Sequence, residues 1–456
     1  MNKIVIDPNL VMSRAAGANW AATSLMDRLA VISRAQALIA REAETLAATV
    51  DRAAADTLGA EILPLAAAAA FLVRHAPRLL RPKRLVGAPL WLFGIRQEVR
   101  REPRGAVLIL APSNYPLMLP GVQALQALAA GNAVAIKPAP GKSAPVVALA
   151  GLLAEAGLPD GLLRILPEDA GPAAVRAGFD YIVLTGSART GVAVAHAAAE
   201  TLTPTAMELS GNDAVFVLPG ADLALVAAAL AFGLRLNAGA TCIAPRRVFV
   251  RADMESDLLS RLLAQLPPPA AIPPGIAARL TTLLGEAEQQ GARIAARNPA
   301  VVAGAAPSMT LLQEDVFAPW LAIVPVQDVE RALDADALCP YALGASIFGP
   351  IDEARRLAAR VDAGSVCIND LIAPTADPRL PFGGRGQSGY GVTRGAEGLL
   401  EMTVVKTIST RAFGPRAQLN PKLAGDATAL ASMIRLFYGS DRWATIKSLR
   451  QPRARH

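Results

Sequence analysis

The chain of 456 residues has only three cysteines, Cys242, Cys339 and Cys367. So sparse and odd a set cannot form a disulfide scaffold, and it fits a reducing compartment, so a cytoplasmic location is expected. The three histidines, His75, His196 and His456, are scattered, and no metal site is expected from them. The longest apolar run, Ile62 to Val73, is about half of the ~20 residues that a membrane-spanning helix needs. No basic-then-apolar leader opens the chain, so secretion is not expected. Residues 1 to 410 also lack net charge. The whole chain carries +7, and nine Lys/Arg against two Asp/Glu from Arg411 onward account for all of it. A basic field confined to one end does not describe a nucleic-acid reader, and no nucleic-acid partner is expected. The tail reads as a solvated or subunit-contacting segment. Its stretch Met433 to Ile446 mixes Leu, Phe, Tyr and Trp with Arg, a pattern that also suits weak peripheral contact with anionic lipid.

With 53% hydrophobic and 18% charged residues, the chain is a folded protein of two or three domains. Leu25, Leu29, Ile32, Ile39 and Leu46 share one helical face, with Ser24 and Asp27 as a capping pair, so 24–50 is expected as a helix. Ala-rich helix continues to about Leu80. Ile95 to Glu102 mixes apolar and charged residues and reads as an exposed strand. From 105 onward, short apolar runs (Val107–Leu110, Ala133–Ile136, Leu162–Leu166, Tyr181–Leu184) alternate with helices. That rhythm predicts an α/β fold with a parallel sheet and right-handed crossovers. A second alternating block runs from about Ala214 to Leu400, and Val404 to Ser409 reads as a last strand.

Several motifs stand out by their chemistry. Gly384-Arg385-Gly386-Gln387-Ser388-Gly389 matches a dinucleotide fingerprint by spacing but follows Pro381-Phe382 rather than a strand, so it is not read as one. Gly141-Lys142-Ser143 lacks the earlier glycine of a phosphate loop. Thr185-Gly186-Ser187 with Gly191 does follow a strand and open a helix, whose free N–H groups and dipole favour a phosphate. As a plain βα turn it would look the same. Glu208 ends an apolar segment, where a carboxylate is either a surface group or is buried for a function. Cys242 follows the loop Asn237-Ala238-Gly239-Ala240-Thr241 and is either a structural or a reactive thiol. Cys339 and Cys367 read as structural. Pro112-Ser113-Asn114-Tyr115-Pro116 holds an amide side chain between prolines, either as a turn or as a rigid hydrogen-bond donor.

Together and in this order, the segments resemble the aldehyde dehydrogenase superfamily over roughly Pro103 to Ile408. The resemblance rests on Pro112–Pro116, on Gly131-Asn132-Ala133-Val134-Ala135-Ile136-Lys137-Pro138 and on Thr185-Gly186-Ser187. It also rests on Glu208-Leu209 with Cys242, 34 residues later, on Glu314-Asp315-Val316-Phe317-Ala318-Pro319, and on Pro381-Phe382-Gly383-Gly384 with Ser388-Gly389. It implies a Rossmann-like parallel-sheet cofactor domain (1–94 and 103–209), an α/β catalytic domain (210–400) and a β-arm for oligomerisation (95–102 and 401–410). The basic tail spans 411–456. The implied assembly is a homodimer or homotetramer.

The resemblance further implies NAD(P)-dependent oxidation of an aldehyde to a carboxylic acid. Cys242 would be the nucleophile, Asn114 with the Cys242 N–H the oxyanion donors, and Glu208 the base that hydrolyses a thioester. Ser113, Lys137, Gly186, Ser187, Gly191, Leu209, Asp315 and Phe317 would line the cofactor site. Pro140 stands where NAD-preferring relatives commonly carry a Glu, so NADP is expected to be accepted and even preferred. Other departures are Ser210 for Gly, Ala240 for Gln, Leu184 for Phe, Ala318 for Gly and Asp315 for a longer Glu, and the stretch between Cys242 and Asp315 is short. Ile368-Asn369-Asp370 leans toward an apolar or aromatic aldehyde. A coenzyme A-acylating enzyme and a non-catalytic relative are the alternatives; the presence of Glu208 favours water over coenzyme A.

Overall fold

A computed structural model describes Met12 and residues 14–414, 416–423 and 425–440. The chain divides into two compact units, one of residues 1–82 and 100–406, the other of residues 83–99 and 407–456.

The first unit holds two sheets. One has six strands in the order Gly389–Tyr390, Thr205–Leu209, Tyr181–Gly186, Ala106–Leu110, Ala133–Lys137, Leu163–Ile165. All its pairings are parallel except that of Gly389–Tyr390. The expected apolar runs are these strands, buried because helices cover both faces. Strand order reverses between Ala106–Leu110 and Tyr181–Gly186. Such a reversal opens a crevice at the carboxyl ends of the two strands. Those ends are Ala111-Pro112-Ser113-Asn114 and Thr185-Gly186-Ser187. The other sheet has seven strands: Arg293–Arg297, Ala300–Ala303, Trp320–Val326, Pro245–Arg251, Asp213–Val217, Gly344–Phe348, Ser365–Ile368.

The N-terminal helices follow the sequence with one break. Ser24 caps Leu25–Arg41 through the Asp27 N–H, but Glu42 leaves the helical region and splits off Ala43–Ala47. The Ala-rich helix runs Ala54–Leu79, with a wider turn at Leu58–Ile62. At 26 residues it is long and apolar enough to cross a membrane by length and composition, more than the run Ile62–Val73 suggests. Its Leu65, Ala69, Leu72 and Ala76 are nevertheless packed in the core of the first sheet's layers. Helix Met118–Ala130 is buried along its whole length, and Gly131 ends it with φ 101°, a conformation that glycine adopts without strain.

The second unit carries a three-stranded sheet. Lys83–Leu85 pairs antiparallel with Ile95–Pro103, which neighbours Thr403–Arg411. The two strands foreseen in the sequence are there, with a third that was not. Helix Asp426–Tyr438 follows, and Trp91 donates to the Tyr438 hydroxyl at 3.1 Å. The end of the tail, 441–456, lies outside the described residues.

Gly389-Tyr390 explains the late glycine-rich segment. Gly389 pairs with Glu208 at the edge of the first sheet, and a Cβ there would stand 1.9 Å from the Met207 carbonyl at φ 98°. Substituting Gly389→Ala is therefore expected to cost about 2 kcal/mol or more. A lowered midpoint in urea unfolding would show it; a midpoint equal to that of the parent would contradict the register.

Candidate active site

A cleft of about 900 Å³ opens at the crevice. Ser113, Asn114, Gly186, Ser187, Glu208, Leu209, Cys242, Asp315 and Phe317 all line it. These residues come from five separate stretches of chain, which only folding could bring together. Lys137 lies instead in an adjoining cavity of about 540 Å³, whose lining shares Pro112, Thr185 and Gly186 with the cleft. Gly191 lines neither. It is buried where a Cβ would meet the Leu209 side chain at 2.6 Å, so it lets helix Ala188–Ala199 pack on strand Thr205–Leu209. The expected cofactor contact at Gly191 is thus a packing contact.

The Cys242 loop is held by a buried polar network. Asn237, Ala238 and Gly239 are consecutive left-handed residues, with φ 51°, 50° and 71°. For Ala238 that conformation costs about 1 kcal/mol or more, so its surroundings must impose it. Asn237 supplies the restraint. Its Nδ2 donates to the carbonyls of Asn114 and Ala240, each at 3.0 Å, and its Oδ1 accepts from Arg52 at 3.0 Å. Arg52 also donates to the Asn114 carbonyl, lies over the Tyr115 ring and pairs with Glu61 at 3.1 Å. The Tyr115 hydroxyl and the Thr241 hydroxyl are 2.8 Å apart. The Asn114 side-chain amide donates to Ala240 at 3.0 Å, two residues before Cys242. A carboxamide has two N–H groups, so this bond fixes the amide and leaves one donor to face the cleft. Gly211 closes the loop from the other side: a Cβ there would lie 2.6 Å from the Cys242 carbonyl oxygen.

Arg52 and Glu61 were not found from the sequence. The available signal was a lone Glu in an Ala-rich apolar stretch. That carboxylate is fully buried and accepts the Leu117 and Met118 N–H groups at 2.8 and 3.0 Å. It caps helix Met118–Ala130, whose own first residues offer no side-chain cap.

Electrostatics in the free protein run against a thiolate. Burial raises the Cys242 thiol pKa, and Glu208, Asp213 and Asp315 raise it further, opposed by Arg394. Glu208 is 3% exposed, and its carboxyl pKa is also raised by burial, against the pull of Arg394 and a hydrogen bond from Thr393. The Thr393 hydroxyl donates to Glu208 Oε2 at 2.8 Å. Asp315 is pushed up to about 6 by burial, with the Ser210 hydroxyl and Arg246 opposing. The departures at 210 and 315 therefore meet: the hydroxyl at Ser210 bonds the shorter carboxylate. Arg246 is buried and donates to the carbonyls of Ala318, Trp320 and Gly239, tying the Asp315 loop to the Cys242 loop.

Two further points correct a simple reading. Asn369 does not line the cleft; its amide clamps both backbone groups of Gly349, at 2.8 and 2.9 Å. Another cavity, of about 590 Å³ and bordered by Arg251, Arg356 and Arg360, contains none of the expected site residues. Among the described residues no group of His, Cys, Asp and Glu could hold a metal ion.

Comparison with known proteins gives a consistent picture. The model of the aldehyde dehydrogenase family matches residues 6–269 and 270–408. The chain is 30% identical to 4,4'-diapolycopene aldehyde oxidase of a Methylomonas species, over 96% of this chain and 88% of that protein. It is 32% identical to a provisionally named succinate-semialdehyde dehydrogenase [NADP(+)] 2 of Mycobacterium bovis, over 87% of this chain and 83% of that protein. Among solved structures, the aldehyde dehydrogenase of Mycobacterium tuberculosis complexed with NAD+ superposes with a TM-score of 0.80 at 27% identity, covering 87% of this chain and 88% of that one.

The raised thiol has a measurable consequence. In the free protein the rate of Cys242 alkylation by iodoacetamide is expected to keep climbing about tenfold per pH unit beyond pH 9, since only the thiolate reacts. Mass spectrometry of the labelled peptide reads it. A plateau below pH 8 would contradict the electrostatics described.

Proposed function

The chain belongs to the aldehyde dehydrogenase family, and we propose that it oxidises an aldehyde to a carboxylic acid, with NAD or NADP, by covalent catalysis at Cys242. The observation that carries this reading is the convergence of Cys242, Glu208 and Asn114 on one cleft. The cleft and the cavity at Lys137 adjoin through Pro112, Thr185 and Gly186, which suits an extended dinucleotide. Ser113, Gly186, Ser187, Leu209, Asp315 and Phe317 would border its nicotinamide half and Lys137 its adenosine ribose. Val175, Val194 and Ala197 give the Lys137 cavity an apolar wall that suits a base ring. When bound, the dinucleotide accepts a hydride.

The residues divide the work as follows. The Cys242 sulfur, its thiol proton released to water, adds to the aldehyde carbon. The carbonyl oxygen, now an alkoxide, is held by the free Asn114 N–H and the Cys242 backbone N–H; one such donor is typically worth about 3 kcal/mol. As the hydride leaves carbon, the carbonyl reforms as a thioester on Cys242. Glu208 takes a proton from water as the water attacks that thioester, and the acid departs with the sulfur reprotonated. General-base help of this kind is typically worth about 10² to 10⁴ in rate. The buried carboxylate beside the thiol favours transfer to water over transfer to coenzyme A and counts against a non-catalytic relative.

The aldehyde is proposed to be apolar or aromatic, since Val50, Pro116, Leu119 and Phe317 are among the lining residues. The enzyme is proposed to be cytoplasmic and a homodimer or homotetramer. Lys83–Leu85 and Thr403–Arg411 form the two edges of the small sheet and need covering. The basic tail is proposed to touch anionic membrane surface weakly, through Leu430, Ile434 and Tyr438, which helix Asp426–Tyr438 leaves exposed.

Reduction of NAD and of NADP, followed by absorbance across a panel of aldehydes, is expected for the parent and not for Cys242→Ala. Equal rates in both proteins would end the covalent reading, and a strong preference for NAD would end the expectation for NADP. For the tail, deleting residues 411–456 is expected to abolish cosedimentation with phosphatidylserine vesicles at low salt. Unchanged cosedimentation would refute that contact.

A further inference from the structure

We propose that Arg394 is a positioning residue for Glu208: a buried guanidinium that holds the hydrolytic carboxylate in its ionised, proton-accepting form. The inference rests on the role proposed for Glu208 and goes beyond it.

Arg394 sits in an unusual setting. It is 8% exposed, with backbone φ 61°, a conformation costly for a side chain of this size. Its guanidinium stacks on the Phe382 ring at 4.0 Å, and Nη1 donates to the Thr375 carbonyl at 2.8 Å. Among the described residues its Nε has no hydrogen-bond partner, and neither has Glu208 Oε1. A buried cation and a buried anion, each with one open hydrogen-bonding atom, are costly unless they act on one another or on a shared guest. The preceding residue, Thr393, already bonds the other Glu208 oxygen. Residues 393 and 394 thus both act on that carboxylate, one by a hydrogen bond and one by charge.

The balance of charges explains why a cation is needed here. Burial favours the neutral acid at Glu208, and the acid cannot accept a proton from water. Facing Glu208 are Thr185 and Gly389 from the flanking strands, Thr393 and Arg394 from the following turn, and Cys242 from the opposite loop. Asp213 and Asp315 also act on Cys242 and are both acids. Arg394 is the cation that acts on both Glu208 and Cys242. It is held by a ring and a carbonyl rather than by a carboxylate, so its charge is not spent on a local partner.

The test separates hydrolysis from thiol chemistry. p-Nitrophenyl acetate acylates Cys242: a C–S bond forms as the ester C–O bond breaks, the thiol proton passes to water, and nitrophenolate leaves as a burst. Water then attacks the thioester, its proton passes to Glu208, the C–S bond breaks, and acetate leaves as the sulfur is reprotonated. With the sulfur esterified, the steady rate against pH reports the carboxylates. In R394Q the rising limb of that profile is expected to move to higher pH by about one unit or more, with the burst retained. R394K, which keeps the charge, is expected to restore most of the shift. D315N identifies any limb that belongs to Asp315, which titrates near 6. An unmoved limb in R394Q, or equal shifts in R394Q and R394K, overturns the proposal. Should R394Q fail to fold, F382L frees the guanidinium without removing it; a smaller shift in the same direction supports the proposal and an unmoved limb overturns it. Loss of the burst in the parent, or hydrolysis undiminished in E208Q, would instead count against the reading of Cys242 and Glu208 themselves.

Discussion

A buried ion pair, Arg52 with Glu61, ties the N-terminal helices to the loop that carries Cys242. Its members are 8% and 0% exposed, so neither charge has water to fall back on. Removing one partner of such a pair typically costs about 3–5 kcal/mol, because the other is left buried and uncompensated. Here the pair does more than survive burial. Glu61 caps the helix that follows the Asn114 segment, and Arg52 bonds Asn237 and the Asn114 carbonyl. Through those contacts the left-handed run Asn237–Gly239 is held in a shape that it would not take alone, and the Asn114 side-chain amide bonds the Ala240 carbonyl, two residues before Cys242.

The rest of the site follows from burying acidic groups around a thiol. Glu208, Asp213 and Asp315 all have raised carboxyl pKa values, with burial as the largest cause in each. Each of these carboxyls is thereby a weaker acid than it would be in water. The same arrangement disfavours a thiolate in the free protein. A nucleophile restrained until substrate and dinucleotide fill the cleft would be protected from idle chemistry such as alkylation and oxidation. The meeting of Ser210 with Asp315 shows two departures compensating locally. The hydroxyl supplies a hydrogen bond to a carboxylate that is one methylene shorter than usual.

Much of the site was legible because strand–turn–helix units leave local traces. Apolar runs of the right length marked the strands, and Thr185-Gly186-Ser187 and Pro112–Pro116 marked the turns at their carboxyl ends. Glu208 could be singled out because a carboxylate within an apolar segment is conspicuous. Arg52, Glu61, Thr393 and Arg394 could not. Each looks ordinary in its own stretch, and each acquires its role from a partner far away in the chain. The packing of Gly191 was hidden for the same reason: its neighbour is Leu209, and the need for a missing Cβ arises only when helix meets strand.

Residue order alone determined the fold class and the positions of most strands and helices, because periodicity and turn chemistry are local properties of the chain; the sulfur, the amide and the carboxylate it offered only as candidates, through the resemblance to a family. The tertiary structure decided which of them share a cleft, which lie in the adjoining cavity, and what charge each tends to carry. Burial and Coulombic neighbours set protonation, and both are properties of three-dimensional surroundings that no linear pattern contains.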